Sequence, residues 1–355
     1  MHAIPPRPSL VTHSADFMRE ALRKGEWTDV LPSERTLCTR LRISRPTLRA
    51  VLALLEKEKW IGPVENRKRR ILVSPPPAVP QARTTVVVLL TPVAAQWMPP
   101  FVLFWMDTLR EILAESGCQL EVQVAPHVFE ARPDAALKKL AARLQPAAWV
   151  LFRSTEAMQR WFATQEAAVV IAGSCAEGVK LPSVDIDYRA ACRHAANLLR
   201  RQGHVHLALL LPNSSHGGDV ESELGFREGT GESGRATVLR HREQPESVIA
   251  KLEECLQHRP APTALVVARS VHVLTVLTHL LRQGRRVPGD VALISRDDDA
   301  FLDHAVPKAS RYATDPVKFA RQLSRLVLDL VRQGRASTRP VRLIPSFQAG
   351  QTTTA

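Results

Sequence analysis

From residue 84 onward, short apolar runs of strand length alternate with helical patterns, and this alternation constrains the fold more than any other property of the chain. The runs are TTVVVLL (84–90), QLEVQV (119–124), AAWVLF (147–152), AAVVIAG (167–173), SVDID (183–187), HLALLL (206–211), ATVLR (236–240), TALVVA (263–268) and DVALIS (290–295). Helical spacing of apolar residues fills the intervals near 103–116, 133–144, 155–164, 189–202, 219–228, 246–258 and 270–283, and a last helix follows near 315–333. A strand that is apolar along its whole length is buried on both faces, so the pattern predicts parallel sheets with helices on either side. So many βα units exceed what one sheet holds and imply two similar lobes, an α/β fold overall.

The segment VSPPPAVPQA (73–82) has four prolines and no charge, and it reads as an extended, semi-stiff linker between differently patterned parts. The expected division is an N-terminal domain over 1–74, the linker over 75–83, a two-lobe domain over 84–347 and a tail over 348–355. Charge separates the same parts. The chain carries 48 Lys and Arg against 35 Asp and Glu, a net +13, and residues 1–75 hold 15 against 8, or +7. About half of the excess thus lies in a fifth of the chain, which makes the N-terminal part the candidate for contact with a polyanion.

Within that part, Val11, Ala15, Met18 and Leu22 recur at helical spacing and predict a helix ending near Gly25. Ser33 is placed to cap a short helix whose inward face is Leu37 and Leu41, and Ser44 to cap a longer one buried through Leu48, Val51, Leu52 and Leu55. Pro46 falls in the first turn, where its missing N–H costs little. The outward face of the longer helix holds Pro46, Arg49, Ala50 and Ala53, with Arg45 at its edge, and is slim enough to approach a major groove while two arginines reach guanine edges or phosphates. The two helices, joined through LRIS, form a helix-turn-helix, and IGPVENRKRRILV reads as a two-stranded wing with Asn66, Arg67, Lys68, Arg69 and Arg70 at its tip.

The runs LPSER and ISRPTLRAVLALLEKEKWI resemble the winged helix-turn-helix domain of the gluconate-repressor (GntR) family of bacterial regulators. This resemblance implies that Arg35, Arg45, Thr47 and Arg49 approach double-stranded DNA with Ser44 capping the recognition helix. The family's glycine-rich wing tip is replaced by NRKRR, which favours phosphate or minor-groove contact through Arg67, Lys68, Arg69 and Arg70.

The later segments SVDIDYRAACRHAANLLRRQGHVHLALLL, LGFREG (224–229), PTALVVA (262–268) and LLRQGRRVPGDVALISRDDD (280–299) are similar to the sensor of the lactose-repressor (LacI/GalR) family, which is akin to periplasmic sugar-binding proteins. The resemblance implies a two-lobe, periplasmic-binding-protein-like sensor with parallel sheets, a small-molecule effector in the cleft and a homodimer along the lobes. Its ligand-anchoring arginine is replaced by Ser222, its Asn-Asp pair by Arg269 and Ser270, and the apolar residue before the retained Asp297 by Arg296. Asp298 follows in the same run. Two readings stay open: an altered effector, with Arg269 favouring an anion, or a cleft that binds nothing and serves only dimerisation. In the first loop Trp97, Met98 and Phe101 either stack on a ligand or pack as core.

Other chemistries find little support. Residues 229–234 fit G-x-G-x-x-G, but they follow a helix and precede a strand, the reverse of a phosphate-binding turn. His204 and His206 have no acidic or cysteine neighbour, and the five cysteines are scattered with no C-x-x-C spacing. No nucleophile or phosphate-loop signature occurs, so no catalytic residue, metal or cofactor is expected. The apolar runs 86–90 and 167–172 are far shorter than a membrane span, and the proline-broken N-terminus lacks a signal-peptide core. The sequence therefore predicts a cytoplasmic, homodimeric transcriptional regulator, a repressor more than an activator, acting on an inverted-repeat operator. A sugar or an anionic sugar derivative is its expected effector. The rivals are a regulator with a silent sensor, a ligand-binding protein without DNA function, and an enzyme using the Asp297–Asp299 run.

Overall fold

The computed structural model describes residues 10–23, 26–27, 30–65, 68–71 and 85–353. The chain divides into two compact units, Met1–Arg83 and Thr84–Ala355. The expected linker, Gly25, Asn66, Arg67 and the side chains of Lys68, Arg69 and Arg70 lie outside the described residues.

In the first unit, α1 (Leu10–Arg23), α2 (Glu34–Leu41) and α3 (Arg45–Lys57) are followed by an antiparallel hairpin, β1 (Ile61–Glu65) and β2 (Lys68–Ile71). The predicted caps form: Ser33 Oγ accepts from the Thr36 N–H and Ser44 Oγ from the Thr47 N–H, each at 3.3 Å. Between them the chain turns at Arg42, which adopts a left-handed φ of 52°. Ala15, Met18, Leu22, Leu37, Leu48, Val51, Leu52, Leu55 and Ile61 form one core, so the three stripes read from helical spacing converge. Arg19 of α1 makes a two-pronged ion pair with Glu58 at the end of α3, at 2.9 and 2.7 Å.

The second unit holds two six-stranded sheets. The first comprises β3 (Thr85–Thr91), β4 (Cys118–Val124), β5 (Ala148–Phe152), β6 (Val169–Ala172), β7 (Ser183–Ile186) and, from near the C-terminus, β13 (Val341–Leu343), in the order β13-β7-β6-β5-β3-β4, all parallel. Helices α4 (Pro100–Glu115), α5 (Asp134–Leu144) and α6 (Glu156–Ala163) connect them. The second sheet comprises β8 (His206–Pro212), β9 (Arg235–His241), β10 (Ala264–Val267), β11 (Ala292–Ser295), β12 (Ser310–Ala313) and β14 (Ser346–Gln348), in the order β14-β12-β11-β10-β8-β9, with only β14 antiparallel. Its helices are α7 (Tyr188–Arg201), α8 (Gly217–Thr230), α9 (Pro245–Leu256) and α10 (Ser270–Arg282), and α11 (Pro316–Gln333) returns to pack on the first sheet.

Alternation along the strands explains why both faces are covered. Val87 and Leu89 point to one core and Val88 and Leu90 to the other; Ala208 and Leu210 oppose Leu207, Leu209 and Leu211 in the same way. The chain crosses between lobes three times, after β7, after β12 and after β13, which fixes two lobes with a cleft between their strand ends. The expected tail is instead built into the second lobe. Gln348 pairs with Arg311, Thr352 is buried, and the Leu293 N–H donates to the Thr352 carbonyl at 2.8 Å. The glycines of LGFREG have a packing role: a Cβ at Gly225 would lie 2.1 Å from the Arg189 carbonyl oxygen, and one at Gly229 2.3 Å from that of Arg193, so α7 and α8 meet backbone to backbone. Gly229 is thus part of a helix contact as well as of the connection that follows.

Candidate functional site

The first unit presents a slim polar helix face. With Leu48, Val51, Leu52 and Leu55 buried, the opposite side of α3 exposes Arg45, Pro46, Arg49, Ala50 and Ala53. Arg35 on α2 is also exposed. Thr47 is half-buried, and its hydroxyl sits 2.8 Å from Ser44 Oγ, so it serves the cap as well as the surface. Arg49 lies 3.6 Å from Glu34, a solvent-exposed pair worth no more than about 1 kcal/mol and easily exchanged for a phosphate. The hairpin brings Glu65 opposite Lys68.

The second unit holds a cleft of about 530 Å³ at the carboxyl ends of the strands in both lobes, where loops bring polar groups together. The expected residues Trp97, Phe101, Arg269, Asp297 and Asp298 line it; Ser222 does not. Ser222 is fully buried behind the wall, where its hydroxyl donates to the Gly218 carbonyl at 2.7 Å and accepts from Arg296 at 2.9 Å. Trp97 stands 73% exposed at the rim, Met98 is buried in the core, and Phe101 lines the cleft while meeting Phe319 edge-on at 5.6 Å.

The organising residue is Arg296, which follows β11. It is 2% exposed, its guanidinium stacks 4.2 Å over the Tyr188 ring, and it donates to Asp219 at 2.9 Å and to both oxygens of Asp297 at 3.0 and 3.3 Å. Ser222 is small enough to leave room for this guanidinium, which comes from the end of β11. Burial works against its charge, but Asp297 and Asp219 hold its pKa well above the ordinary value. Burial would likewise push the Asp219 carboxyl up; Arg269 and Arg296 outweigh it and hold it well below the usual range. Ser214 also donates to Asp219, at 2.6 Å.

Arg269 donates to Asp219 at 3.2 Å and lies 3.7 Å from Asp297 and 4.0 Å from Glu243, so it is largely neutralised by the protein's own carboxylates. Asp298 is bound by Arg311 beneath it. Across the cleft, Asp185 accepts from Ser174 Oγ at 2.6 Å and the Ile186 N–H at 2.8 Å, and burial raises its pKa to about 6. The groups that sequence reading missed, among them Arg153, Asp185, Asp219 and Glu243, sit at or just beyond strand ends or in the first turn of α8. Position after a strand was the available signal. His206 has both ring nitrogens engaged, by the Pro260 carbonyl and Thr237, and so holds structure. No group of three or more potential metal ligands occurs among the described residues.

Residues 14–69 match the bacterial regulatory proteins of the gntR family, and residues 196–353 match the periplasmic binding protein-like domain. The chain thus joins a segment similar to the gntR family to one similar to the periplasmic binding protein-like domain. The HTH-type transcriptional regulator CelR of Thermobifida fusca is 30% identical to it over 165 residues, 45% of this chain and 48% of that protein. The match thus spans about half the length of that curated relative. Among solved structures, the CelR–cellobiose complex is similar over 98% of this chain and all of that one, with 21% identity and a TM-score of 0.67. A putative LacI regulator of Bacillus cereus subsp. cytotoxis NVH 391-98 is 19% identical, covering 76% of this chain and 98% of that one, with a TM-score of 0.68. CcpA of Lactococcus lactis is 17% identical, covering 77% and 100%, with a TM-score of 0.66. At these identities the structures share the fold with the periplasmic-binding-protein-like domain. No helix among the described residues is long and apolar enough to cross a membrane.

Proposed function

We propose that the protein is a cytoplasmic, homodimeric transcriptional repressor that binds an inverted-repeat operator and responds to a small polyhydroxylated effector. The observation that carries this reading is the presence, in one chain, of a capped helix exposing Arg45 and Arg49 and of a cleft where arginines and aspartates converge beside aromatic rings. Arg35, Arg45, Thr47 and Arg49 act at the DNA, with Arg67, Lys68, Arg69 and Arg70 on the adjoining backbone. Two-fold symmetry would set half-sites about one helical turn apart. CelR's complex with cellobiose favours a sugar-like effector here too, and paired carboxylate and guanidinium groups suit hydroxyls. Effector binding alters the lobes and thereby operator affinity, a coupling between two distinct sites.

A second reading, a silent cleft that only supports dimerisation, draws on the way Arg269 and Arg296 are paired with Asp219 and Asp297 inside the protein. Gel-shift titration of the full-length Arg45→Ala/Arg49→Ala variant tests the DNA assignment. Affinity should fall at least tenfold, and an unchanged affinity would remove α3 from the interface.

A further inference from the structure

Three arginines line the cleft, and they differ in how far the protein itself satisfies them. Arg296 is fully committed to Asp219, Asp297, Ser222 and the Tyr188 ring, and Arg269 donates to Asp219. Arg153, just beyond β5, makes no hydrogen bond among the described residues. Among the described residues the one carboxylate within 4.0 Å of its guanidinium is Glu243, at 3.9 Å, which is half exposed and is also shared with Arg269.

Its setting is costly in two ways. Partial burial lowers the Arg153 pKa and the Arg269 charge lowers it further, so a half-buried cation stands near a second cation. Its backbone is left-handed, with φ of 56°, as is that of Glu243 at 66° on the facing lobe. Such conformations in residues other than glycine persist where the surroundings hold them in place, and they cluster at ligand sites. On the facing lobe His272, 4% exposed, gives Nε2–H to the Glu243 carbonyl and leaves Nδ1 as an acceptor without a partner. A guanidinium offers paired N–H donors that match the two oxygens of a carboxylate or phosphate. At the other side of the cleft, the aspartates of 297–299 offer acceptors for hydroxyls.

We infer that Arg153 reads a carboxylate or phosphate group on the ligand, so that the effector is a polyhydroxylated acid whose hydroxyls face the aspartate run. Arg269, which sequence reading put forward for an anion, positions Asp219 and Asp297 instead. On binding, the acid group replaces Glu243 as the partner of Arg153, and Glu243 turns to solvent. The inference rests on the cleft being an effector site, as proposed above.

Titration calorimetry on the full-length protein with matched sets tests it: glucose, glucuronate and glucose 6-phosphate; galactose, galacturonate and galactose 6-phosphate; cellobiose and cellobionate. The expected result is that an acidic member binds at least tenfold more tightly than its neutral parent. Arg153→Gln should abolish that preference and Arg153→Lys should keep part of it. The carboxylate and phosphate arms identify which acid group is read. Neutral sugars binding as tightly as their acids, or an acid affinity unchanged in Arg153→Gln, overturns the inference and leaves the effector reading standing. Absence of binding by every member overturns both.

Discussion

Replacing Arg296 with methionine tests the electrostatic frame of the cleft. The side chain is 1% exposed and that of its partner Asp219 2%, so the substitution removes one member of a buried pair while keeping a similar apolar length. Breaking such a pair costs about 3–5 kcal/mol, because the remaining charge is left without compensation. Arg269 still donates to Asp219 at 3.2 Å, which places the expected loss near the lower end, about 3 kcal/mol. For a domain of this size, a destabilisation of that order lowers the melting temperature by roughly 5 °C. Urea or thermal unfolding of the full-length protein reads it directly. A loss under about 1 kcal/mol would mean that Asp219 is hydrated and that Arg296 does not organise the cleft.

Two further perturbations probe the same domain. The Asp185 carboxyl, raised to about 6 from its ordinary 3.8, binds a proton in the folded protein at pH values where the unfolded chain has lost it. Stability should therefore fall as pH rises from about 4 through about 6, and unfolding of Asp185→Asn across that range should lose this step; an unchanged slope would assign it to another group. At Gly225, alanine would set a Cβ 2.1 Å from the Arg189 carbonyl oxygen, forcing α8 off α7. A destabilisation of at least about 2 kcal/mol is expected, and a neutral effect in denaturant unfolding would show that the helices can separate freely.

The parts of this molecule that were legible in the sequence are those with long, consistent patterns. Each of the nine runs read as strands forms one, β3 to β11, and Ser33 and Ser44 cap where helical spacing put them. The short strands β12, β13 and β14, with sequences SRYA, VRL and SFQ, carry too few apolar residues to show an alternation, and their pairing comes from lobe crossings distant in sequence. For the same reason residues 348–353 read as a tail although Thr352 bonds into the second sheet. In the cleft, Arg269, Asp297 and Asp298 were found by position, but their partners were not. Ser222 and Arg296 are 74 residues apart in the chain, and their hydrogen bond exists only because the end of β11 meets α8. Arg153 stood in view directly after AAWVLF, and nothing local marks it as the cleft arginine whose side chain makes no hydrogen bond among the described residues.

The proposed function depends above all on α3 reading DNA as half of a symmetric pair. Selection of genomic fragments on the full-length protein, with the Arg45→Ala/Arg49→Ala variant run in parallel, measures this most directly. The account predicts recovered fragments that share an inverted repeat with half-sites about one helical turn apart, and loss of that enrichment in the variant. Fragments without a shared repeat, or an equal enrichment by the variant, would contradict it.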